Sequence, residues 1–186
     1  MDSLALKNGL QQHGVQLSGR QLEQLWNFHE LLREQNPRLN MTRIHNFDTM
    51  VRKHYVDSLI VGPMIEKELG SMPASMLDFG TGAGFPGVPL AIRYPDVRMI
   101  LNESRANRAD FLREVVQQCG LSGVTVLGQR LLPELGVTVD AVILRAVGSM
   151  RKILERTHFA LKRDGMLIFL KGPNCSDEIL EMRGAP

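Results

Sequence analysis

A glycine-rich stretch, LDFGTGAGFPG at 77–87, is the clearest sign of chemistry in the sequence. Half of the eight residues from Gly80 to Gly87 are glycine, although glycine costs backbone entropy and offers no side chain to pack. A loop of this kind is typical of a place where a ligand approaches the backbone closely. With Asp78 at its start, the pattern reads D-x-G-x-G-x-G, which is the commoner mark of an S-adenosylmethionine site.

A dinucleotide site is the alternative that the same stretch leaves open. The residues from Gly82 to Gly87 match G-x-G-x-x-G, the dinucleotide fingerprint. Glu103 ends the next apolar run, where a carboxylate accepts the ribose hydroxyls of an adenosine in either cofactor. An NAD-dependent oxidoreductase is therefore a second hypothesis, but no obvious proton-handling residue follows the later strands. The plainest interpretation is a tight turn beside a solvated acid.

Strand-like and helix-like segments alternate from about residue 74. The strand candidates are SMLDF, VRMILN, VTVLG, DAVIL and GMLIFL, and the helices between them are GVPLAIRY, ANRADFLREVVQQCG and SMRKILERTHFALK. This alternation predicts a doubly wound, mostly parallel sheet covered by helices on both faces, a Rossmann-like α/β fold. The glycine loop then lies at the carboxyl end of the first strand, where such sheets bind nucleotide-like ligands, and Pro86 suits the first turn of the following helix.

Amphipathic helices occupy the first part of the chain. Ser18 and Gln21 form a capping-box pattern, and Asn36–Pro37 predicts the end of the helix that they start. Asp48 is a candidate cap for a further helix that reaches about Ile60. We expect an N-terminal helical extension at 1–70, a cofactor-binding core at 71–172 and an incomplete C-terminal segment at 173–186.

The amino-acid composition of the chain limits the classes of protein to which it can belong. The chain has 186 residues, is 44% apolar and carries a net charge of +2, which predicts a folded globular protein without an overall basic signature. No signal peptide and no apolar run of membrane-spanning length is present, so no membrane partner is expected. Cys119 and Cys175 are far apart and favour a reducing cytoplasm. The spacing of the histidines predicts no metal site.

A set of ordered blocks resembles one known family. The blocks are NMTRI (40–44), HYVDSL (54–59), LDFGTGAGFPGVPLAI (77–92), NES (102–104), LRA (144–146) and LKG (170–172). They are similar to the bacterial glucose-inhibited division protein B family, the small-subunit rRNA guanine-N7 methyltransferases. The resemblance covers the chain from the N-terminal helices to Gly172. It implies a class I methyltransferase fold and methyl transfer from S-adenosylmethionine to N7 of a guanine in 16S rRNA.

The resemblance also implies roles for particular residues. Cofactor-binding residues would be Gly80, Gly82, Gly84, Phe85, Glu103, Leu131, Leu132 and Arg145. Arg145, Lys171 and His54 would orient RNA and cofactor at the reacting atoms. His54 and Asn40 have an equal claim to a purely structural role, in which His54 forms a helix-surface pair with Asp57 and bonds the neighbouring loop. The substrate would be 16S rRNA or the small ribosomal subunit, and we expect a cytoplasmic monomer.

Two departures from the family pattern are visible. Members usually have an acidic residue where this chain has Leu132, so backbone contacts would have to recognise the adenine there. A methyltransferase sheet of this type normally ends with two more strands, and the residues after Gly172 predict a helix but no strand pair. A non-catalytic ribosome-assembly binder with a vestigial cofactor site is the third hypothesis.

Overall fold

The described residues of this computed structural model are 2–145 and 148–183. Ala146 of the LRA block and the last residues of the C-terminal segment, 184–186, lie outside them. The helices are α1 (Ser3–Gln11), α2 (Gly19–Leu39), α3 (Phe47–Met50), α4 (Asp57–Leu59), α5 (Val61–Leu69), α6 (Gly87–Arg93), α7 (Ala106–Gln118), α8 (Met150–Thr157) and α9 (Ser176–Arg183). A π-helical turn, Val51–Val56, joins α3 to α4, and short 3-10 turns lie at Pro133–Leu135 and His158–Ala160.

The strands form one parallel sheet in the order β3-β2-β1-β4-β5. Their bounds are β1 (Ser75–Phe79), β2 (Arg98–Asn102), β3 (Val124–Leu127), β4 (Val139–Arg145) and β5 (Leu161–Leu170). From β1 the chain adds β2 and β3 on one side, and it then returns to add β4 and β5 on the other side of β1. Doubly wound sheets place their ligands at this switch point, between β1 and β4. The expectation of a Rossmann-like methyltransferase fold is therefore confirmed.

Each face of the sheet has its own apolar layer, because successive strand residues point to opposite faces. Met76, Met99 and Ile143 lie on one face and share a core with the N-terminal helices, α6 and α7. Leu77 and Ile100 lie on the other face in a smaller core that includes residues of α8. The N-terminal helices thus pack directly on the sheet, and the division of the chain at residue 70 stays a prediction.

Several predicted boundaries differ from the structure. Helix α2 continues past Asn36 and through Pro37 to Leu39, because the last turn is closed by Asn40, whose N–H donates to Asn36 O. Asn46, not Asp48, caps α3: its side chain accepts the Thr49 N–H at 2.9 Å. Pro86 occupies the N-cap of α6 and not its first turn.

The C-terminal part of the chain holds one more difference. Residues 161–162, predicted as the end of a helix, begin β5, where Leu161 pairs with Val139. Within the described residues, β5 is an edge strand, and α9 follows it. None of the helices in the described ranges has the length and apolar character needed to cross a membrane.

Candidate active site

The glycine loop, residues 80–86, connects β1 to α6 at the carboxyl edge of the sheet. Gly80, Gly82 and Gly84 have φ values of 71°, 61° and 99°, a region that favours glycine because other residues clash there. The loop is tied to the neighbouring strand, since the Thr81 N–H donates to Asn102 O at 3.0 Å. Its course is therefore set both by the glycines and by the end of β2.

Two of these glycines serve different needs. A Cβ added at Gly82 would meet only Gly80 O, at 3.9 Å, so the space above this residue is open. A Cβ added at Gly84 would lie 2.8 Å from the Val88 side chain and 3.3 Å from that of Phe28. Gly82 thus leaves room for a ligand, whereas Gly84 is required by the packing of the core, and its contact with a cofactor stays a prediction.

A cavity of about 580 Å³ opens beside the loop, within the range of small-molecule sites. Four of the residues predicted to bind cofactor line it together: Gly80, Glu103, Leu131 and Leu132. The remaining lining residues are Phe79, Asn102, Ser104, Arg130, Pro133, Glu155, Arg156 and Phe159. The cavity joins the ends of β1 and β2 to the segment after β3, so residues far apart in sequence form one pocket.

Glu103 is held in place at the base of this cavity. Its carboxylate is buried, and Oε1 accepts the Arg105 N–H at 2.9 Å. The adjacent Asn102 side chain donates to Leu127 O at 3.1 Å and to Gln129 O at 2.8 Å, which fixes the segment that carries Leu131. One carboxylate oxygen is thus used by the protein, and the other is available to a ligand.

A second group of side chains, which we call the arginine cluster, consists of Thr42, His54, Phe85 and Arg145. The His54 and Phe85 rings are stacked with centroids 4.5 Å apart, and the Arg145 guanidinium carbon lies 5.2 Å from the Phe85 centroid. Arg145 Nη2 is 3.1 Å from His54 Nδ1, and His54 Nε2 is 2.8 Å from Thr42 Oγ1. The cluster lies directly beside the glycine loop, because Phe85 belongs to both.

His54 is neutral in this setting. Burial, together with the nearby charge of Arg145, lowers the pKa of His54 to about 4, against a smaller opposing effect of the Lys53 carbonyl. The ring bonds the neighbouring loop through Thr42, as the structural interpretation predicted, and it also contacts Arg145. A role in orienting the substrate stays a prediction. Asp57 is exposed and does not share the buried position of His54. Asn40 ends α2 with φ 46°, and its carbonyl accepts from Arg108 at 2.9 Å.

Lys171 is separate from both groups. Its ammonium donates to Glu178 Oε2 at 2.8 Å and to Gly148 O at 2.7 Å. Glu178 Oε2 also accepts the N–H of Met150 at the start of α8. Glu178 of α9 supplies the carboxylate that pairs with this charge, and the role of Lys171 in orienting RNA stays a prediction. In this structure its charge is used to join β5, α8 and α9.

Asp78 lies under the glycine loop and is fully buried. Its Oδ2 accepts the Gly87 N–H at 2.7 Å, whereas Oδ1 has no hydrogen-bond partner within the described residues. Burial raises the pKa of Asp78 to about 6, although the nearby Thr81 hydroxyl, the Gly87 N–H and the charge of Arg145 favour the ionised form. Asp78 therefore supports the loop, and does so with a carboxyl group that titrates well above its ordinary range.

We expect Asp78→Asn to remove a pH-dependent loss of stability. The folded carboxyl keeps its proton until about pH 6, whereas the unfolded one loses it near 3.8. The free energy of unfolding of the wild type should fall by about 3 kcal/mol as the pH rises through this window, and then stay level. Asparagine accepts the Gly87 N–H without titrating. The difference in free energy of unfolding, variant minus wild type, should therefore rise by about 3 kcal/mol between the acidic and the neutral end of this window.

Urea unfolding of both proteins at about pH 4 and about pH 7 measures this difference. The titration of His29 and His54, whose pKa values are both lowered to about 4, is common to the two proteins and cancels in the comparison. A stability difference that is the same at both pH values would contradict the prediction.

Some residues of the site had no clear signal in the sequence. Asn102 and Thr42 lie within the NES and NMTRI blocks but carry no recognisable chemical pattern by themselves. Glu155 and Arg156 come from α8, which the sequence presents only as an amphipathic helix. The described residues contain no group of three or more metal-ligating side chains arranged to hold an ion.

Comparison with known proteins identifies the family and the fold. The family model described as rRNA small subunit methyltransferase G (GidB) matches residues 21–185. A SAM-dependent O-methyltransferase from Thermotoga maritima superposes with a TM-score of 0.52 at 20% identity, covering 81% of this chain and 54% of that one. At this identity the likeness concerns the fold.

Sequence relatives cover nearly the whole chain. Ribosomal RNA small subunit methyltransferase G 2 of Syntrophobacter fumaroxidans is 45% identical over 92% of this chain, which spans about a third (34%) of that relative's length. Ribosomal RNA small subunit methyltransferase G of Alkaliphilus metalliredigens is 33% identical over 98% of this chain and 77% of its own length. The chain belongs to the rRNA small subunit methyltransferase G family.

Proposed function

We propose that this chain transfers a methyl group from S-adenosylmethionine to N7 of a guanine in 16S rRNA of the small ribosomal subunit. The observation that carries the proposal is the juxtaposition of two features at the carboxyl edge of the sheet. One is the cavity lined by Gly80 and Glu103, and the other is the arginine cluster, to which the same glycine loop contributes Phe85. Family membership supplies the reaction class, and the site supplies the residues to perform it.

The cavity fits an adenosine-containing cofactor. Glu103 would accept hydrogen bonds from the ribose hydroxyls, because one of its oxygens is not used by Arg105. The open space at Gly82 would admit the cofactor against the loop backbone, and Phe85 contributes its backbone, since its ring is buried. Leu131 and Leu132 would flank the base. S-adenosylmethionine supplies a methyl group that its sulfonium charge activates for transfer.

No general base is needed for this chemistry. Guanine N7 is an acceptor lone pair in the neutral base and is exposed on the major-groove edge. The protein has only to hold the nitrogen in line with the methyl carbon and sulfur, and such positioning supplies roughly 7–11 kcal/mol of a barrier. The neutral His54, with both ring nitrogens engaged, suits an orienting role for Arg145 and not proton transfer.

Exposed basic residues near the site suit an RNA substrate. Arg38, Arg43, Arg52 and Lys53 are exposed, and in the sequence Arg43 directly follows Thr42 and Lys53 directly precedes His54. Phosphate contacts from such residues supply much of the affinity for RNA. We also propose a cytoplasmic monomer, an assignment that the free thiols of Cys119 and Cys175 suit.

Methyl transfer from tritium-labelled S-adenosylmethionine to small ribosomal subunits tests the proposal. Nuclease digestion of the product should place the label on N7 of guanine alone. The single-turnover rate with saturating substrates should change little between about pH 6.5 and 8.5, because no group must lose a proton first. Binding of the subunit without any transfer would favour the assembly-binder hypothesis, and binding of NAD instead would favour the oxidoreductase.

A further inference from the structure

The Thr42 side chain contacts the imidazole ring of His54 within the arginine cluster. Its hydroxyl is buried and lies 2.8 Å from His54 Nε2. The other ring nitrogen of His54 lies 3.1 Å from Arg145 Nη2. A single imidazole therefore links a threonine of the loop after α2 to the arginine that ends β4.

The chemistry of arginine decides how the proton is placed on this ring. A guanidinium only donates hydrogen bonds, so His54 Nδ1 must accept from Arg145. In the neutral ring the proton is then on Nε2, and Nε2–H donates to Thr42 Oγ1. The pKa of His54, lowered to about 4 by burial and by Arg145, agrees with a neutral ring.

A competing arrangement is present within the same site. His54 Nδ1 is also 3.2 Å from Lys53 O, a carbonyl to which it can donate only if the proton is on Nδ1. In that tautomer an N–H of His54 would face an N–H of Arg145, and the contact between them would be lost. The Thr42 hydroxyl can pair with Nε2 in either tautomer, since it both donates and accepts, so the contact with Arg145 is what favours the Nε2–H form. The hydroxyl oxygen then gives that form the acceptor it needs, because a buried N–H without a partner is costly.

Thr42 is itself held firmly in place. Asn36 Oδ1 accepts the Thr42 N–H at 2.9 Å, and Asn36 Nδ2 donates to Thr42 O at 2.8 Å. The Ile44 N–H donates to Thr42 Oγ1 at 3.1 Å, which leaves a lone pair of this oxygen for His54. The acceptor oxygen is thus held in place by contacts that do not involve the imidazole of His54.

The result of this chain of contacts is the location of Arg145. Its Nη1 also donates to Lys53 O at 2.9 Å, and its guanidinium lies beside the Phe85 ring. Phe85 belongs to the glycine loop, so Arg145 is fixed next to the backbone that would receive the cofactor. A shift of about 1 Å in such a group is enough to cost about 100-fold in rate.

We propose that Thr42 is a positioning residue for methyl transfer, which supplies the acceptor for the Nε2–H tautomer of His54 and thereby helps to hold Arg145 against the glycine loop. The proposal rests on the proposed function, because the reaction is the process that the positioning serves. Thr42 does not touch substrate or cofactor, and it acts through His54.

Thr42→Val tests the proposal, with Thr42→Ser as the conservative variant. Valine has the shape of threonine but accepts no hydrogen bond, whereas serine restores the acceptor. We expect the single-turnover rate of methyl transfer to small ribosomal subunits to fall at least about 10-fold in Thr42→Val and to return to within about 3-fold of wild type in Thr42→Ser. The affinity for S-adenosylmethionine and the KM for subunits should change less than about 2-fold in both.

Nitrogen-15 NMR of the His54 ring provides a readout that does not depend on activity. Wild type and Thr42→Ser should carry the proton on Nε2, and Thr42→Val should shift toward the Nδ1–H tautomer. Thr157→Val is the matched control, because Thr157 is also buried but its hydroxyl donates to Ile153 O, away from the arginine cluster. This control should retain the wild-type rate and the wild-type tautomer.

The outcomes separate the two proposals. Failure of the wild type to transfer any methyl group overturns the proposed function before any variant is compared. A wild-type rate in Thr42→Val, or a loss that serine does not recover, overturns the positioning role. An Nδ1–H tautomer of His54 in the wild type does the same, even if Thr42→Val does not fold.

Discussion

Replacement of Glu103 by alanine is expected to weaken binding of S-adenosylmethionine by about 10- to 150-fold. The buried carboxylate has one oxygen engaged by the Arg105 N–H, and the other is available for the ribose hydroxyls. Hydrogen bonds to a charged group contribute about 1.5–3 kcal/mol, which corresponds to this range of affinity. Isothermal titration calorimetry of the purified variant measures the effect.

Controls separate the loss of the ribose contact from a general effect of charge or fold. Glu134→Ala removes an exposed acid from the 3-10 turn after the cavity segment and should bind the cofactor as the wild type does. Glu103→Gln keeps an acceptor for Arg105 but loses the charge, so its affinity should fall between those of wild type and alanine. Undiminished affinity in Glu103→Ala, with normal circular dichroism, would exclude Glu103 from the cofactor site.

An even larger loss of cofactor affinity is expected for Gly82→Val. The residue has φ +61°, and a Cβ there would project into space that is otherwise open, with only Gly80 O within 4 Å. The valine side chain would occupy the space through which the cofactor approaches the backbone. We expect binding to become undetectable, beyond the loss in Glu103→Ala.

Backbone strain is the second effect of this substitution, and it has a matched control in the same chain. Gly120, after α7, also has φ +61° and open space around its Cα. Gly120→Val should therefore suffer a similar left-handed strain, about 1–2 kcal/mol or more for a branched residue, while binding the cofactor normally. Equal losses of cofactor affinity in the two variants would show that strain alone explains the result at Gly82.

The order of strands and helices was predictable from the sequence, because it follows from local alternation of apolar and polar residues. SMLDF became β1 over Ser75–Phe79 with unchanged bounds, and the other strands began and ended within a few residues of their predicted limits. The position of the glycine loop at the carboxyl edge, with Glu103 on the adjacent strand, follows from that order. Chain connectivity in a parallel sheet leaves few alternatives.

Helix ends were less predictable where distant or unusual partners decide them. Asn36 and Pro37 are ordinary stop signals, yet α2 continues for two residues after Pro37. Asn36 is instead buried and bonded to Thr42 and Met41, so its side chain organises the next loop. Local preference is a weak influence on a helix end when such contacts are available.

Only the tertiary structure decided which residues act together. His54 and Arg145 are 91 positions apart, and the threonine that orients them has no chemical signature in the sequence. The same is true of Lys171, whose charge is paired with Glu178 of α9, and of Gly84, where the Val88 side chain leaves no room for a Cβ. The physical reason is that periodicity and glycine patterns report the local backbone, whereas hydrogen-bond partners and packing contacts are set by segments that meet only when the sheet and helices assemble.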